Sequence, residues 1–413
     1  MRIVAAVLAG LALLLSGACT GRTEPIRIGA IYPLSGSQGP GGRDEYRGVR
    51  LAVDLTNADG GIGGRPLALD ALDVAGADGA PGAVDALADR GIGIVLGSYG
   101  STISQPAAAE AGRRGLVFWE TGAVGSMAPP GGDRFFRVAP SGRQLAAAAV
   151  SFEARRLAPM LGRSAHSLRF AVANVDDVYG ADVAAGAVRR IRALGLPFAG
   201  RFAYDVHHLD ARALIRRIAA ARPDVLFVAA YVRDGIALRR AMVRERLNLV
   251  SNIGTSSSYC MPAFGLTLRR DAVGLFASDK LDGAYVDPGG LTPAGRSLLD
   301  RARNAYEAAY GTDMSAAALA GFSSAWALFA TVLPVAASPS PDAVAAAAAA
   351  ARIPTGALPN GSGLAFRSLG SSDPGANLRA VSVIWEWVRP GVRAVVWPPR
   401  FATGPIEPIR ILP

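Results

Sequence analysis

The first stretch that could bind a ligand is rich in glycine and hydroxyl groups and reads LGSYGSTISQPA, over residues 96–107. It follows the apolar run GIGIV and precedes an alanine-rich segment, so it is predicted to connect a strand to a helix. It contains neither a phosphate-binding Gly-x-x-x-x-Gly-Lys-Ser/Thr loop nor a Gly-x-Ser-x-Gly nucleophile elbow. Two interpretations remain. Backbone N–H groups and hydroxyls can hold a carboxylate or another small polar group at a helix N-terminus, or the stretch is an ordinary capped helix.

Side chains that commonly carry catalysis or bind metals are few and scattered. His207 and His208 are adjacent in YDVHHLD, His166 lies far away in the sequence, and metal ligation normally needs three or four spaced ligands. The serine-rich segment GTSSSYC is interpreted as a loop at a strand end, and its Cys260 as a buried thiol. A secreted hydrolase is therefore disfavoured, and we expect neither a metal nor a cofactor.

The N-terminal residues have the pattern of a secretory signal. Arg2 precedes an apolar run over residues 3–15 that is too short to cross a bilayer comfortably, and small residues follow it before Cys19. This arrangement resembles the lipobox of bacterial lipoproteins, except that Ser16 stands where a large apolar residue is usual. We expect residues 1–18 to be a signal peptide, Cys19 to be lipidated and residues 19–25 to form a lipid tether. Plain secretion is the alternative.

Charge and cysteine content exclude some classes of partner and fold. The formal net charge is +10, but the arginines are scattered over helix-like segments instead of being clustered with aromatic side chains, so we expect no nucleic-acid binding. Lys280 is the only lysine in the chain. Lipidation of Cys19 would leave Cys260 without a partner, which excludes a disulfide framework.

The hydrophobic pattern alternates between apolar, strand-like runs and amphipathic, helix-like runs. From IRIGAIYPL to LVFWET the units have lengths that are typical of a parallel, doubly wound sheet. A second series begins after FFRVAPS and includes the strand-like LRFAVANVD and PDVLFVAAY. The fold class is therefore predicted to be α/β with two similar units. Ligands of such sheets bind at the carboxyl ends of the strands, where GSYGST and TGAVGS are predicted to lie.

The C-terminal part is predicted to add helices and then strands. TPAGRSLLDRARNAYEAAYG and MSAAALAGFSSAWALFATVL have the pattern of two long helices, whereas LRAVSVIWEWV and AVVWPPRF are strand-like. After the signal no segment has 18 uninterrupted apolar residues, so we expect no membrane span. The alanine run of residues 343–354 is predicted to be a surface helix that begins at Ser340, Pro341 and Asp342.

An ordered series of phrases resembles the type I periplasmic binding proteins of the leucine/isoleucine/valine class, the extracytoplasmic receptors of ABC importers. The phrases run from about residue 26 to residue 403 and include IRIGAIYPLSGSQGPGGRDEYRGVRLAVDLTNADGGIGGRPLAL, GIGIVLGSYGSTISQPAAAEAGRRGLVFWETGA, DRFFRVAPS, DDVYGADVAAGA, PDVLFVAAY and AVVWPPRFAT. The resemblance implies two Rossmann-like lobes joined by three hinge crossings, which close on a small ligand. Lobe 1 would comprise residues 26–140 and 283–355, and lobe 2 residues 141–282 and 356–413.

The resemblance also implies a set of ligand-binding residues. Ser101 occupies the place of the serine hydroxyl that binds the ligand's α-carboxylate, and the backbone of Gly122 and Ala123 matches the loop that meets the same end of the ligand. Tyr179 and Tyr231 match aromatic positions that close over the ligand from lobe 2, with a core or rim position as the alternative. Hydroxyl and N–H donors can fix a carboxylate, and aromatic walls exclude water, so the set is chemically coherent.

The chain departs from the family pattern at three positions. Val124 replaces a threonine hydroxyl, Ser256 stands where an acidic residue usually pairs with the ligand's ammonium, and Gly41 replaces an aromatic residue. An ammonium without a carboxylate partner would be costly in a dehydrated cleft. Either another anion substitutes, for which Glu120 in WETG is the candidate against a rim position, or the ligand has no ammonium group. Two further tyrosines are candidate walls of the cleft, namely Tyr99 and Tyr259.

These features predict a monomeric binding lipoprotein that captures an amino acid or a related solute and delivers it to an ABC importer permease. The same fold can instead serve as a sensor that reports ligand occupancy to a membrane receptor or kinase. A secreted hydrolase is the least favoured class, because the sequence contains no nucleophile elbow.

Overall fold

The computed structural model describes residues 23–36, 38–125, 133–368, 371 and 373–407. The predicted signal peptide and Cys19 lie outside the described residues. The strands are β1 (Ile26–Tyr32), β2 (Leu67–Asp73), β3 (Ile94–Gly97), β4 (Val117–Glu120), β5 (Phe135–Arg137), β6 (Phe170–Val175), β7 (Phe198–Tyr204), β8 (Val225–Ala229), β9 (Ser251–Thr255), β10 (Phe276–Asp279), β11 (Val383–Arg389) and β12 (Val392–Trp397). The helices are α1 (Gly39–Ala58), α2 (Ala80–Asp89), α3 (Ser101–Arg113), α4 (Gly142–Phe152), α5 (Ala158–Met160), α6 (Val178–Ala193), α7 (Ala211–Ala220), α8 (Val232–Arg244), α9 (Pro262–Leu268), α10 (Pro293–Tyr310), α11 (Ala316–Ala327) and α12 (Pro341–Ala350).

The first lobe is built on a parallel sheet. Within the described residues it has five strands in the order β2-β1-β3-β4-β5. Every residue of β3 and β4 is buried, as expected for parallel strands that helices cover on both faces. Because these strands are parallel, the loops that follow β3 and β4 lie at the same edge of the sheet. The predicted strand, turn and helix around GSYGST are thus observed.

The second lobe is built on a mixed sheet. In the part of the chain that the structure describes, seven strands follow the order β12-β11-β10-β9-β8-β6-β7. The pairings from β7 to β10 are parallel, whereas β11 pairs antiparallel with β10 and with β12. The loops after β6, β8, β9 and β10 therefore lie at one edge. Together the two sheets give the predicted α/β fold with two lobes.

Helix α11 returns to the first lobe and crosses α1 at close range. A Cβ atom on Gly48 would lie 2.0 Å from the carbonyl oxygen of Ala318, and one on Gly321 would lie 2.2 Å from that of Glu45. Only glycine therefore fits at these two points of the crossing. The segment Ala316–Val335 is long and apolar enough to cross a membrane by length and composition. However, 72% of its most apolar 18-residue stretch is buried inside the fold, and a core helix satisfies the same test.

The segment before β11 packs against the first lobe. The ring of Phe366 lies 5.5 Å from that of Trp119 and 4.9 Å from that of Phe136, between centroids. The backbone N–H of Arg137 donates to the carbonyl of Gly375, and the N–H of Asn377 donates to the carbonyl of Arg137. The domain boundaries stay a prediction, and these contacts favour a return to the second lobe that is later than residue 356.

The predicted alanine-rich surface helix is confirmed as α12. Its N-cap is Ser340, whose side chain accepts a hydrogen bond from the N–H of Ala343, and a proline follows at the first helical position. Only Val344 and Ala348 of α12 are buried, so the helix rests on the first lobe along a narrow face.

Candidate functional site

Ser101 lies at the carboxyl edge of the first sheet, where it begins α3 after the extended N-cap residue Gly100. Its side chain is buried, and its hydroxyl oxygen accepts a hydrogen bond of 3.0 Å from the backbone N–H of Gly125. Since the oxygen is the acceptor in this bond, the hydroxyl proton of Ser101 is left to donate elsewhere.

Other hydroxyls of this stretch stabilise the turn itself. The hydroxyls of Ser98 and Ser104 lie 2.8 Å apart, and the backbone N–H of Ser98 donates to the hydroxyl of Ser104 at 3.1 Å. Both residues are completely buried. The sequence left open whether this turn binds a polar ligand or only begins a helix, and the turn has features of both. Two of its serines stabilise the turn, and Ser101 retains a proton that it can donate to a ligand.

Glu120 ends β4 and is completely buried. Its Oε1 accepts hydrogen bonds from the backbone N–H groups of Gly122, at 2.9 Å, and Ala123, at 2.7 Å. Burial raises the pKa of this carboxyl, while the Ser104 hydroxyl, these two N–H groups and Arg137 act in the opposite direction. The backbone N–H groups of the loop that the resemblance assigns to the ligand's carboxylate end therefore already have an acceptor. Glu120 is too buried for a rim residue, and its Oε2 has no hydrogen-bond partner among the described residues.

The second lobe contributes a pair of tyrosines. The rings of Tyr179 and Tyr231 lie 5.3 Å apart between centroids, which brings the two predicted residues together. Tyr179 is buried near the start of α6, whereas the half-buried Tyr231 is the N-cap of α8 and donates to the Asp177 carboxylate at 2.6 Å. Ser256 is also buried, and its carbonyl oxygen lies beside the sulfur of Cys260.

The two lobes meet at Gly125. A Cβ atom on Gly125 would lie 2.9 Å from the Ser101 side chain and 3.3 Å from the side chain of Val178, the first residue of α6. The loop after β4 is therefore held between the predicted carboxylate-binding serine of the first lobe and the N-terminus of α6 in the second. The two lobes therefore touch beside the predicted site.

The ring of Tyr99 lies over Gly41, the position at which the family pattern has an aromatic residue. A Cβ atom on Gly41 would lie 2.2 Å from Cζ and 2.3 Å from the hydroxyl oxygen of Tyr99, so the ring covers the glycine. Burial raises the pKa of Tyr99, and the charges of Glu45, Cys260 and Asp279 act in the same direction. The φ angle of Tyr99 is +128°, a region that non-glycine residues rarely adopt and that is enriched at ligand sites.

Tyr259 is the other tyrosine that the sequence offered as a wall of the cleft. It is buried, and its ring packs on that of Phe264 at 4.5 Å between centroids, which is a core position and not a wall of the cleft.

A buried lysine that the sequence pattern did not assign to the site joins the two lobes. Lys280 follows β10 of the second sheet, and its Nζ donates to the carbonyl of Gly122 in the first lobe at 2.9 Å. Glu45 lies beside the same loop, where its Oε1 accepts from the Thr121 hydroxyl at 2.7 Å. Burial raises the pKa of Glu45 to about 8, and Lys280 limits the rise. The unique occurrence of lysine was the signal in the sequence that could have identified Lys280.

A thiol and a second ion pair lie behind Lys280. The Cys260 thiol donates to Asp279 at 2.7 Å, and burial raises the pKa of both groups. Arg393 and Asp282 form a buried ion pair of 2.5 Å. Among the described residues, no group of three or more His, Cys, Asp or Glu side chains could hold a metal ion.

Comparison with known proteins agrees with the geometry. The family model for periplasmic binding proteins matches residues 25–368. A Leu/Ile/Val-binding protein homolog of Brucella suis biovar 1 is 26% identical over 387 residues, which cover 93% of each chain.

Solved structures share the fold. The branched-chain amino acid transporter substrate-binding protein of Streptococcus pneumoniae, in complex with isoleucine, superposes with a TM-score of 0.70 at 17% identity and covers 91% of this chain and 100% of that one. A solute-binding protein of an ABC transporter from R. palustris, in complex with benzoate, has a TM-score of 0.66 at 16% identity and covers 92% of this chain and 97% of that one. The chain therefore belongs to the periplasmic binding protein family and is a type I member of its leucine/isoleucine/valine class.

Proposed function

We propose that this chain is an extracytoplasmic lipoprotein that captures a small polar metabolite between its lobes and delivers it to an ABC importer. The metabolite is an amino acid or a related carboxylate or amide. The protein acts as a monomer, has no catalytic activity, and is anchored to the outer face of the cytoplasmic membrane through Cys19.

The observation that supports this proposal is that the ligand-binding loops of the first lobe and the tyrosine pair of the second lobe lie at facing edges of the two sheets. Ser101 and Gly125 of the first lobe lie against Val178 at the start of α6, and the paired rings of Tyr179 and Tyr231 belong to the same edge of the second lobe. A ligand between these groups contacts both lobes, and only such a ligand can favour the closed arrangement over an open one. Capture then consists of binding in the open cleft, followed by hinge closure.

Within that mechanism, Ser101 donates its free hydroxyl proton to an acceptor on the ligand. The tyrosine pair forms the wall that separates the ligand from water, and the Asp177 carboxylate orients the Tyr231 ring through its 2.6 Å hydrogen bond. Hydrogen bonds between the lobes, such as the one from Lys280 to the Gly122 carbonyl, also favour the closed arrangement.

A thermal-shift panel tests the capture step. The purified chain from Thr20 onward is heated with amino acids, amides, and aliphatic and aromatic carboxylates, because a ligand that binds only the folded state raises the melting temperature. Ser101→Ala should weaken binding of the active compound by about 1–3 kcal/mol through the loss of one hydrogen bond. Ser297→Ala, on the exposed face of α10, is the matched control and should leave the affinity unchanged. Unchanged affinity of Ser101→Ala would remove this residue from the site.

The membrane anchor is tested separately. Full-length protein should fractionate with membranes, and Cys19→Ala should release it. Equal distribution of both forms would contradict lipid anchoring and leave the capture step as a property of a secreted protein.

A further inference from the structure

The ammonium group of Lys280 is buried with most of its hydrogen-bonding capacity unused. The residue is only 8% exposed, and its Nζ donates to the Gly122 carbonyl at 2.9 Å. An ammonium carries three donor protons. Within the described part of the chain, no other hydrogen bond or ion pair is formed by this Nζ. A buried cation that keeps two donors is normally balanced by an anion.

Two acidic groups lie near Lys280, and each of them, Glu45 at Oε2 and Asp279 at Oδ1, has a buried oxygen without a hydrogen-bond partner among the described residues. Burial raises the pKa of Glu45 to about 8, so most of this carboxyl is protonated at neutral pH. Burial also raises the pKa of Asp279, which in addition accepts a hydrogen bond of 2.7 Å from the Cys260 thiol. Neither carboxyl forms an ion pair within 4.0 Å of Lys280 among the described residues.

Lys280 and Ser101 present their donors to the same short loop. The lysine bonds to Gly122, and the Ser101 hydroxyl bonds to Gly125, three residues further along. A chain of three residues spans at most about 10 Å, so both donors lie along the same short stretch of the loop. Each has a proton that is available to an acceptor, and both are buried.

At the position where the family pattern places the acceptor for a ligand's ammonium, this chain has no carboxylate. Ser256 is neutral where the family pattern has an acidic residue, and Glu120 is completely buried with its Oε1 committed to the N–H groups of Gly122 and Ala123. A ligand ammonium at that position would therefore lack its usual carboxylate partner, and an unpaired ammonium is unfavourable in a dehydrated site.

We propose that Lys280 is the charge partner of the ligand and that the cleft selects a small organic anion without an ammonium group. This inference rests on the proposed capture function and names the substrate class of that same site. Lys280 and Ser101 hold the anionic end, while the Tyr179 and Tyr231 pair covers the remainder of the molecule.

Matched pairs of compounds separate this inference from the general capture function. Calorimetry compares 4-methylpentanoate with leucine, 3-phenylpropanoate with phenylalanine, and butanedioate with aspartate, so that each pair differs in the ammonium group. We expect at least one carboxylate to bind tenfold or more tightly than its amino acid. A preference for the amino acid in the binding pair would overturn the inference and leave the capture function intact, whereas no binding by any compound would count against both.

Two substitutions test the role of the charge. Lys280→Met keeps the apolar stem and removes the ammonium, and it should weaken binding of the preferred carboxylate tenfold or more. Lys280→Arg keeps the charge and should retain more affinity than Lys280→Met. Melting temperatures of both variants without ligand control for folding, and if Lys280→Met does not fold, the Lys280→Arg comparison stands alone. Equal affinity of all three proteins would mean that Lys280 only links the lobes.

Discussion

The ring of Tyr99 over Gly41 makes a glycine-to-alanine exchange informative at this position. Gly41 is the third residue of α1 and follows a proline, and Gly82 is the third residue of α2 and also follows a proline. The two helix starts are therefore a matched pair. They differ in surroundings, because a Cβ atom on Gly82 meets nothing within 4 Å, whereas one on Gly41 lies 2.2 Å from Cζ of Tyr99.

The magnitude follows from two opposing effects. Alanine in place of a helical glycine stabilises by about 0.5–1 kcal/mol, and Gly82→Ala should show this gain. At Gly41 the new methyl group lies more than 1 Å inside the normal carbon–carbon contact distance of about 3.5–4.0 Å. Overpacking costs typically about 1–3 kcal/mol, and the displaced atoms belong to the tip of a ring, which favours the lower end. Gly41→Ala should therefore be about 1–2 kcal/mol less stable than Gly82→Ala.

Urea unfolding of the single and double variants measures the coupling. In a Tyr99→Ala background the ring is absent, so Gly41→Ala should recover the gain seen at Gly82. The interaction free energy from this cycle should be at least about 1 kcal/mol, as expected for residues in direct contact. Equal stabilisation by Gly41→Ala and Gly82→Ala, with a coupling near zero, would refute the placement of Tyr99 over this glycine.

Three further predictions concern residues outside this pair. Glu153 is buried with a pKa raised to about 8 and one hydrogen bond from Ser251, so its favourable contribution is complete below its ordinary pKa of 4.5 and is lost as the pH rises toward 8. Glu153→Gln should therefore raise the melting temperature at pH 8 more than at pH 5, with a free-energy difference that grows by at most about 1.4 kcal/mol per pH unit, and parallel pH profiles would contradict this. Arg393→Met leaves the buried Asp282 without its partner and should cost about 3–5 kcal/mol in urea unfolding, with partial recovery when Asp282→Asn is added; a loss below about 1 kcal/mol would argue against the pair. Gly321→Ala places a methyl group 2.2 Å from the backbone oxygen of Glu45 and should destabilise by about 1–3 kcal/mol, whereas a gain like that of Gly82→Ala would disprove the close helix crossing.

Local patterns predicted most of the fold because the strands are short, continuous apolar runs. Strands such as β3, β4, β6 and β8 are buried along their whole length, which leaves an unmistakable apolar signal between helices. The three-residue β5 and the polar-ended β10, FASD, leave no such pattern and were not predicted from the sequence.

The site was predictable where residues follow strand ends and was missed where contacts span the chain. Ser101, Tyr179 and Tyr231 all follow the carboxyl ends of parallel strands, so topology brings them together. The contact from Lys280 to Gly122 joins residues 158 positions apart, and no periodicity encodes it. The direction of Glu120 was also hidden, because it depends on the path of the loop that follows β4.

The internal hydrogen bonds of Glu120 have a consequence for the energetics of capture. Its carboxyl group fixes the backbone of Gly122 and Ala123 before any ligand arrives. Ordering a binding loop normally reduces affinity, because conformational freedom is lost at the moment of association. In this protein that entropy is lost during folding instead, so the loop is preorganised and more of the interaction free energy is available for discrimination among ligands.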